Sequence, residues 1–170
     1  MMRSFALAVA VACCTVSIAL AKDIVATAKD AGQFAILLKA AEAAGMTKTL
    51  RSPGPFTVFA PTDAAFQALP PGTLDRLMKP ENKQELAKVL GYHVLTGRLT
   101  STDVSKVVGD GSQKAAAASV INAPLTLSKG ETGLMVNDAR IVKNDVNADN
   151  GVVQVIDKVL IPPTPIQPKF

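Results

Sequence analysis

Residues 56–66 read FTVFAPTDAAF, and two kinds of local structure meet within them. Phe56-Thr57-Val58-Phe59-Ala60 is aromatic and branched, the composition of a strand. Pro61 has no amide hydrogen to give a neighbouring strand, so it ends the run. Thr62 and Asp63 then carry the short side-chain acceptors that cap a helix N-terminus, and AAFQAL follows as a short helix. A strand thus passes directly into a helix within eleven residues.

The flanking sequence divides into a helical half and a strand-rich half. Upstream, Asp23 is placed to cap a helix running to Ala31 and stopped by Gly32. QFAILLKAAEAAG then sets Phe34, Leu37, Leu38 and Ala41 on one face, with Lys39 and Glu42 opposite and Gly45 at the end. Downstream, TLDRLM reads as a helical piece, and Pro80 opens a longer helix in PENKQELAKVLGYH. Leu86, Val89, Leu90 and His93 fall on one face of it, although Gly91 is a competing stop signal. Ser101-Thr102-Asp103 begins another helical turn to Val108. Residues 109–118 read as a loop that includes an alanine tract. From Ser119 onward, branched runs alternate with turn residues, which predicts at least four strands. In the last of them Val153, Val155 and Asp157 share one face and Val152, Gln154 and Ile156 the other.

Residues 1–21 have a basic start at Arg3, an uncharged apolar run from Phe5 to Ala21 and the small-x-small ending Ala19-Leu20-Ala21. This predicts a cleaved export signal and a secreted or periplasmic protein. Cys13 and Cys14 both fall inside it, so the chain from Lys22 onward contains no cysteine. That excludes thiol catalysis, zinc–thiolate sites and disulfides, and leaves the apolar core to hold the domain. The domain is expected over 22–163, followed by a short proline-rich tail at 164–170. The formal charge of +4 falls to +3 without Arg3, the basic residues form no run, and aromatics make up 4% of the chain. Nucleic-acid binding calls for clustered charge and stacking surfaces, which this sequence lacks. No further apolar stretch is long enough to span a membrane.

Reactive patterns are sparse. His93 is the only histidine, no G-x-S-x-G elbow surrounds a serine, and no S-x-x-K pair occurs. Asp63, Asp138, Asp145 and Asp157 are the acids that a carboxylate-dependent hydrolase would have to bring together. Asp145, Asn147 and Asp149 have the 1-3-5 spacing of a calcium loop. The glycine position is instead Asn150 and the bidentate acid position Ile156, so DVNADNG reads as a turn. Gly109-Asp110-Gly111-Ser112 lacks the lysine of a phosphate loop. His93 continues an apolar stripe, which favours burial of Tyr92 and His93 with their polar tips paired. No cofactor or metal is expected.

Three stretches in order resemble the fasciclin domain family. FTVFAPTDAAF resembles its first signature box, with Thr57, Val58, Phe59, Ala60, Pro61, Thr62, Asp63 and Phe66 at the motif positions. YHVLTG (92–97) resembles its central tyrosine–histidine motif at Tyr92 and His93. NGVVQVIDKVLIPP (150–163) is similar to its closing box, at Val155, Ile156, Asp157, Val159 and Leu160. The resemblance covers nearly all of Asp23 to Pro163. It implies an α+β, fasciclin-like fold, with N-terminal helices packed on a wedge of two β-sheets. It also implies an exported, non-enzymatic adhesion or binding module for a protein or glycan ligand at a cell surface or matrix. A carboxylate-dependent hydrolase and a purely structural envelope or matrix scaffold are the alternatives. Some animal members use the tyrosine–histidine region in integrin binding, but this sequence has no RGD. Where members often have a closing-box histidine, this chain has Gln154. His93 is expected to be a buried strut between the helix end and a signature box, with Asp63 or Asp157 as its partner.

Overall fold

The computed structural model describes residues 22–109 and 114–162. The expected export signal at 1–21 and the tail at 164–170 lie outside the described residues. The chain opens with three helices, α1 (Ile24–Ala31), α2 (Ala35–Ala44) and α3 (Thr47–Arg51), before β1 (Phe56–Pro61). Then come α4 (Asp63–Gln67), α5 (Thr73–Met78), a 3-10 turn at Pro80–Asn82, α6 (Lys83–Tyr92), β2 (Val94–Thr96) and α7 (Ser101–Val108). The second half is β3 (Ala115–Ala118), β4 (Pro124–Gly130), β5 (Gly133–Val136), β6 (Ala139–Ala148) and β7 (Gly151–Ile156).

The helix boundaries follow from side-chain chemistry. The Asp23 carboxylate accepts the Ala26 amide at the start of α1, and Gly32 ends that helix at φ 70°. Thr62 accepts the Ala65 amide at the start of α4. At α7, Thr100 and Asp103 form a reciprocal capping box, which satisfies two otherwise unpartnered amides. Gly91 does not stop α6, which continues to Tyr92 with His93 as its C-terminal cap.

The strands form one mixed sheet, in the order β2-β1-β7-β6-β5-β4-β3 among the described residues. This corrects the expected wedge of two sheets. β1 and β7, second and third in that order, pair in parallel from Phe56↔Gly151 to Pro61↔Ile156. β6 joins the two ends of the sheet: it pairs with β5 through Ala139 and Arg140, and with β7 from Ile141 onward. Register shifts between Ile141 and Lys143 and between Lys143 and Val146 bend that strand, as bulges do. The sheet therefore curls back on itself. Leu95 bridges Ser119, and the Val120 amide donates to the Val94 carbonyl at 2.8 Å, so the two edges almost meet. The alanine tract expected in a loop is β3, paired residue by residue with β4 from Ala115↔Leu127 to Ala118↔Pro124.

The parallel β1–β7 pair separates two apolar cores. Val58 and Ala60 of β1 and Val153 and Val155 of β7 pack beneath α1, α2, α4 and α6. Phe59 and Ile156 point the other way, into the curled sheet with Tyr92, Leu125, Leu127 and Val136. All six residues of β7 are buried, as a strand covered on both faces should be. Each fully buried Val, Leu, Ile or Phe contributes roughly 1.5–3 kcal/mol.

Candidate functional site

Tyr92 and His93 stand where α6 ends and β2 begins, and both are sealed. His93 is 1% exposed. Its Nε2 accepts the Leu160 amide at 2.9 Å, which assigns the ring proton to Nδ1, the donor to the Val89 carbonyl at 2.7 Å. The ring thus ties the last turn of α6 to the segment after β7. The expected carboxylate partners, Asp63 and Asp157, are not the ones used. Burial pushes the imidazole pKa down to about 4, against the opposing pull of the Val89 carbonyl. At neutral pH the ring is uncharged and both nitrogens are engaged, so it has no free lone pair for a metal or a substrate. The Tyr92 hydroxyl donates to the Pro124 carbonyl at 2.8 Å and accepts from the Asn137 side-chain amide at 3.1 Å.

The polar groups of the first-box segment are likewise turned to the protein's own backbone. Thr57 donates to the Gly97 carbonyl and accepts the Leu99 amide, each at 2.8 Å. Asp63 receives the Ile36 amide at 2.8 Å and the Ala35 amide at 3.4 Å. It therefore caps α2, whose own N-cap residue Phe34 provides no side-chain acceptor. Val58 and Ala60 pack beneath the helices with Phe66, while Phe59 enters the curled sheet. Among the closing-box positions, Val155 and Val159 join the helix side and Ile156 and Leu160 the curled sheet. Asp157 accepts the Arg140 amide at 2.8 Å and approaches its guanidinium at 3.7 Å.

A second polar cluster joins Gln154, to which the sequence assigned no role, to the candidate acid Asp145 and to Ser101. Gln154, 1% exposed, donates to the Asp145 carboxylate at 2.8 Å and to the Leu99 carbonyl at 3.3 Å, and accepts the Asp145 amide at 3.2 Å. The Asp145 carboxylate also receives the Ser101 amide at 2.8 Å and the Ser101 hydroxyl, at the start of α7. Burial works to raise the Asp145 pKa, but the Ser101 and Gln154 hydrogen bonds and the nearby Arg98 hold it below the usual aspartate value. The sequence signal was a polar residue in an otherwise apolar strand. Asn150, read only as a turn residue, is a third junction: its side chain binds the Ile24 amide and the Leu50 and Ser52 carbonyls.

Asp63, Asp145 and Asp157 are thus each held by a different backbone segment. No group of three or more His, Cys, Asp or Glu side chains suited to a metal exists among the described residues. The apolar space beneath α1, α2 and α3 is a cavity of about 30 Å³, bordered by Val25, Leu37, Leu38, Met46, Leu50 and His93. Its scale is that of a single water, and its apolar lining favours a dry void. The open surface is elsewhere. Two shallow depressions share Arg98 and Asp149: one continues to Lys22 and Asn147, the other to Pro53, Gly54 and Pro55. No helix among the described residues is long and apolar enough to cross a membrane.

Fold and site together define an α+β module in which a parallel strand pair is sealed between helices and a curled sheet, with its distinctive polar groups turned inward. The chain belongs to the Fasciclin domain family, whose profile matches residues 32–162. It is 42% identical to Protein sll1483 of Synechocystis over 143 residues, covering 84% of this chain and 75% of that one. It is 38% identical to the rabbit (Oryctolagus cuniculus) transforming growth factor-beta-induced protein ig-h3 over 79% of this chain, but spans only 18% of that protein. Identity to the cell surface glycolipoprotein MPB83 of Mycobacterium bovis is 39%, over 65% of this chain and 45% of the relative. Among solved structures, a FAS1 domain pair from the insect cell adhesion molecule Fasciclin I superposes with a TM-score of 0.57 at 20% identity. That match covers 76% of this chain and 44% of the insect one, and it shows the shared fold.

Proposed function

We propose that this protein is an exported, non-enzymatic binding module that recognises a protein or glycan at a cell surface or matrix. One observation carries the reading: the motif side chains of Thr57, Thr62, Asp63, Tyr92, His93 and Asp157 are committed to hydrogen bonds within the fold, and Tyr92 and His93 are buried. Recognition is left to surface loops, and the linked depressions around Arg98 and Asp149 offer both charge signs on open ground. Relatives that include a cell surface glycolipoprotein, and a fold shared with a cell adhesion molecule, support the same reading. Domain limits at 22–163 after removal of residues 1–21 are part of the proposal. Residues 22–170 displayed against arrays of glycans and of envelope and matrix proteins should give a saturable hit, competed by free ligand and weakened by Arg98→Glu. Silence across both arrays would overturn it.

A further inference from the structure

Asn150-Gly151 is the only Asn-Gly pair in the sequence, and the fold demands each member for a separate reason. A Cβ on Gly151 would lie 2.0 Å from the Phe56 carbonyl oxygen of the paired strand β1, closer than atoms can approach. Asn150 must be an amide because it both accepts and donates. Its Oδ1 takes the Ile24 amide at 2.9 Å, while its Nδ2 serves the Leu50 and Ser52 carbonyls at 2.7 and 3.2 Å. Its own carbonyl accepts the Phe56 amide at 3.0 Å. The start of α1, the end of α3 and the start of β1 therefore all meet on one residue.

The same pair is chemically fragile when it is free to move. With no side chain on the following residue, the Gly151 amide nitrogen can attack Cγ of Asn150. A new N–C bond forms, the Cγ–Nδ2 bond breaks and the side-chain nitrogen leaves as ammonia, taking up the proton that the Gly151 nitrogen gives up. Water then opens the five-membered ring at either carbonyl, leaving aspartate or isoaspartate. The native hydrogen bonds hold Cγ in place and prevent the side-chain rotation that this attack needs. After conversion, a carboxylate faces the Leu50 and Ser52 carbonyls, where the native state requires a donor. The isoaspartate form also lengthens the backbone in the two-residue turn between β6 and β7.

We propose that Asn150-Gly151 is a fold-guarded deamidation site, at which unfolding converts Asn150 to aspartate or isoaspartate and bars return to the native state. The fold thus keeps a one-way chemical record of having been opened. The test holds the purified full chain in mildly alkaline buffer with and without urea. Peptide mass mapping and ammonia release follow conversion at Asn150, with Asn82, Asn122, Asn137, Asn144 and Asn147 as internal controls. In urea, conversion at Asn150 should outpace all five controls. Without urea it should be at least about tenfold slower, because reaction is confined to the opened fraction. After urea is diluted away, unmodified chains should regain native circular dichroism and modified chains should not. Asn150→Asp, made directly, should show a lower urea midpoint or no folded state. Equal rates with and without urea would overturn the proposal, as would a modified or Asn150→Asp chain that refolds to the wild-type midpoint.

Discussion

The two sides of the β1–β7 pair bury their polar groups by opposite means. On the helix side, His93 is a neutral ring held by one backbone carbonyl and one backbone amide. On the curled-sheet side, Gln154 meets an ionised carboxylate, Asp145, which in turn holds the first turn of α7. A neutral strut fails when it gains a proton. A charged one fails when it loses its charge. One parallel strand pair therefore serves two cores with different acid sensitivities, and substitutions can separate them.

The largest effect is expected at the seam itself. Gly151→Ala places a methyl against the Phe56 carbonyl oxygen, and a backbone atom within a paired strand cannot step aside. The cost is expected to be at least about 3 kcal/mol, the upper range for overpacking. Both cores should loosen together, seen as one shifted urea transition for near-ultraviolet tyrosine and far-ultraviolet backbone signals. If only one signal shifts, the two sides are not joined through this contact.

Next in size is the acid response of the helix side. The His93 pKa falls from 6.5 in the unfolded chain to about 4 in the fold. Between those values the unfolded state binds the extra proton, so stability is whole above about pH 6.5 and drains as pH falls towards 4. The full loss is about 3 kcal/mol. His93→Ala should cost about 1–3 kcal/mol at neutral pH, by orphaning the Leu160 amide and the Val89 carbonyl. It should also flatten the dependence of the urea midpoint across that window, and an unchanged slope would remove His93 from the acid response.

The curled-sheet side should respond in a different place. Gln154→Leu removes a donor from the Leu99 carbonyl and one from the Asp145 carboxylate, which keeps Ser101, at a cost of about 1–2 kcal/mol. Exchange of α7 amides should rise while those of α2 stay protected. The Asp145 contribution is present above the ordinary aspartate pKa of 3.8 and is lost only as pH falls below it, a lower window than that of His93. Equal exchange in α2 and α7 would erase the distinction between the two sides.

The helix side was largely legible because its contacts are local. Asp23 and Gly32 bound α1, Thr62 caps α4, and the stripe Leu86/Val89/Leu90/His93 is buried as its spacing implies. The curled sheet was less so. Four alanines favour helix in isolation, yet pairing with β4 makes Ala115–Ala118 a strand, a case of tertiary context overriding propensity. The bulges that make one curled sheet out of an expected wedge depend on how β6 shifts against β7, which no local pattern specifies. For His93, burial could be read from spacing. One true partner, Val89, lies one helical turn back and was in reach of the same reasoning; the other, Leu160, is 67 residues away.

Asp63 shows the same limit at the smallest energetic scale. Its position beside Thr62 marks the start of α4, but its carboxylate reaches back 27 residues to the Ile36 amide. Two adjacent residues thus cap two different helices, and the first-box segment fixes α2 over β1 as well as starting α4. Asp63→Ala should cost about 1 kcal/mol, the usual loss for a capping side chain, with Asp63→Asn recovering most of it because an amide oxygen still accepts. Faster exchange should be confined to the first turn of α2. If α4 frays instead, Asp63 acts on its own helix and the link between the helix side and the central strands runs through packing alone.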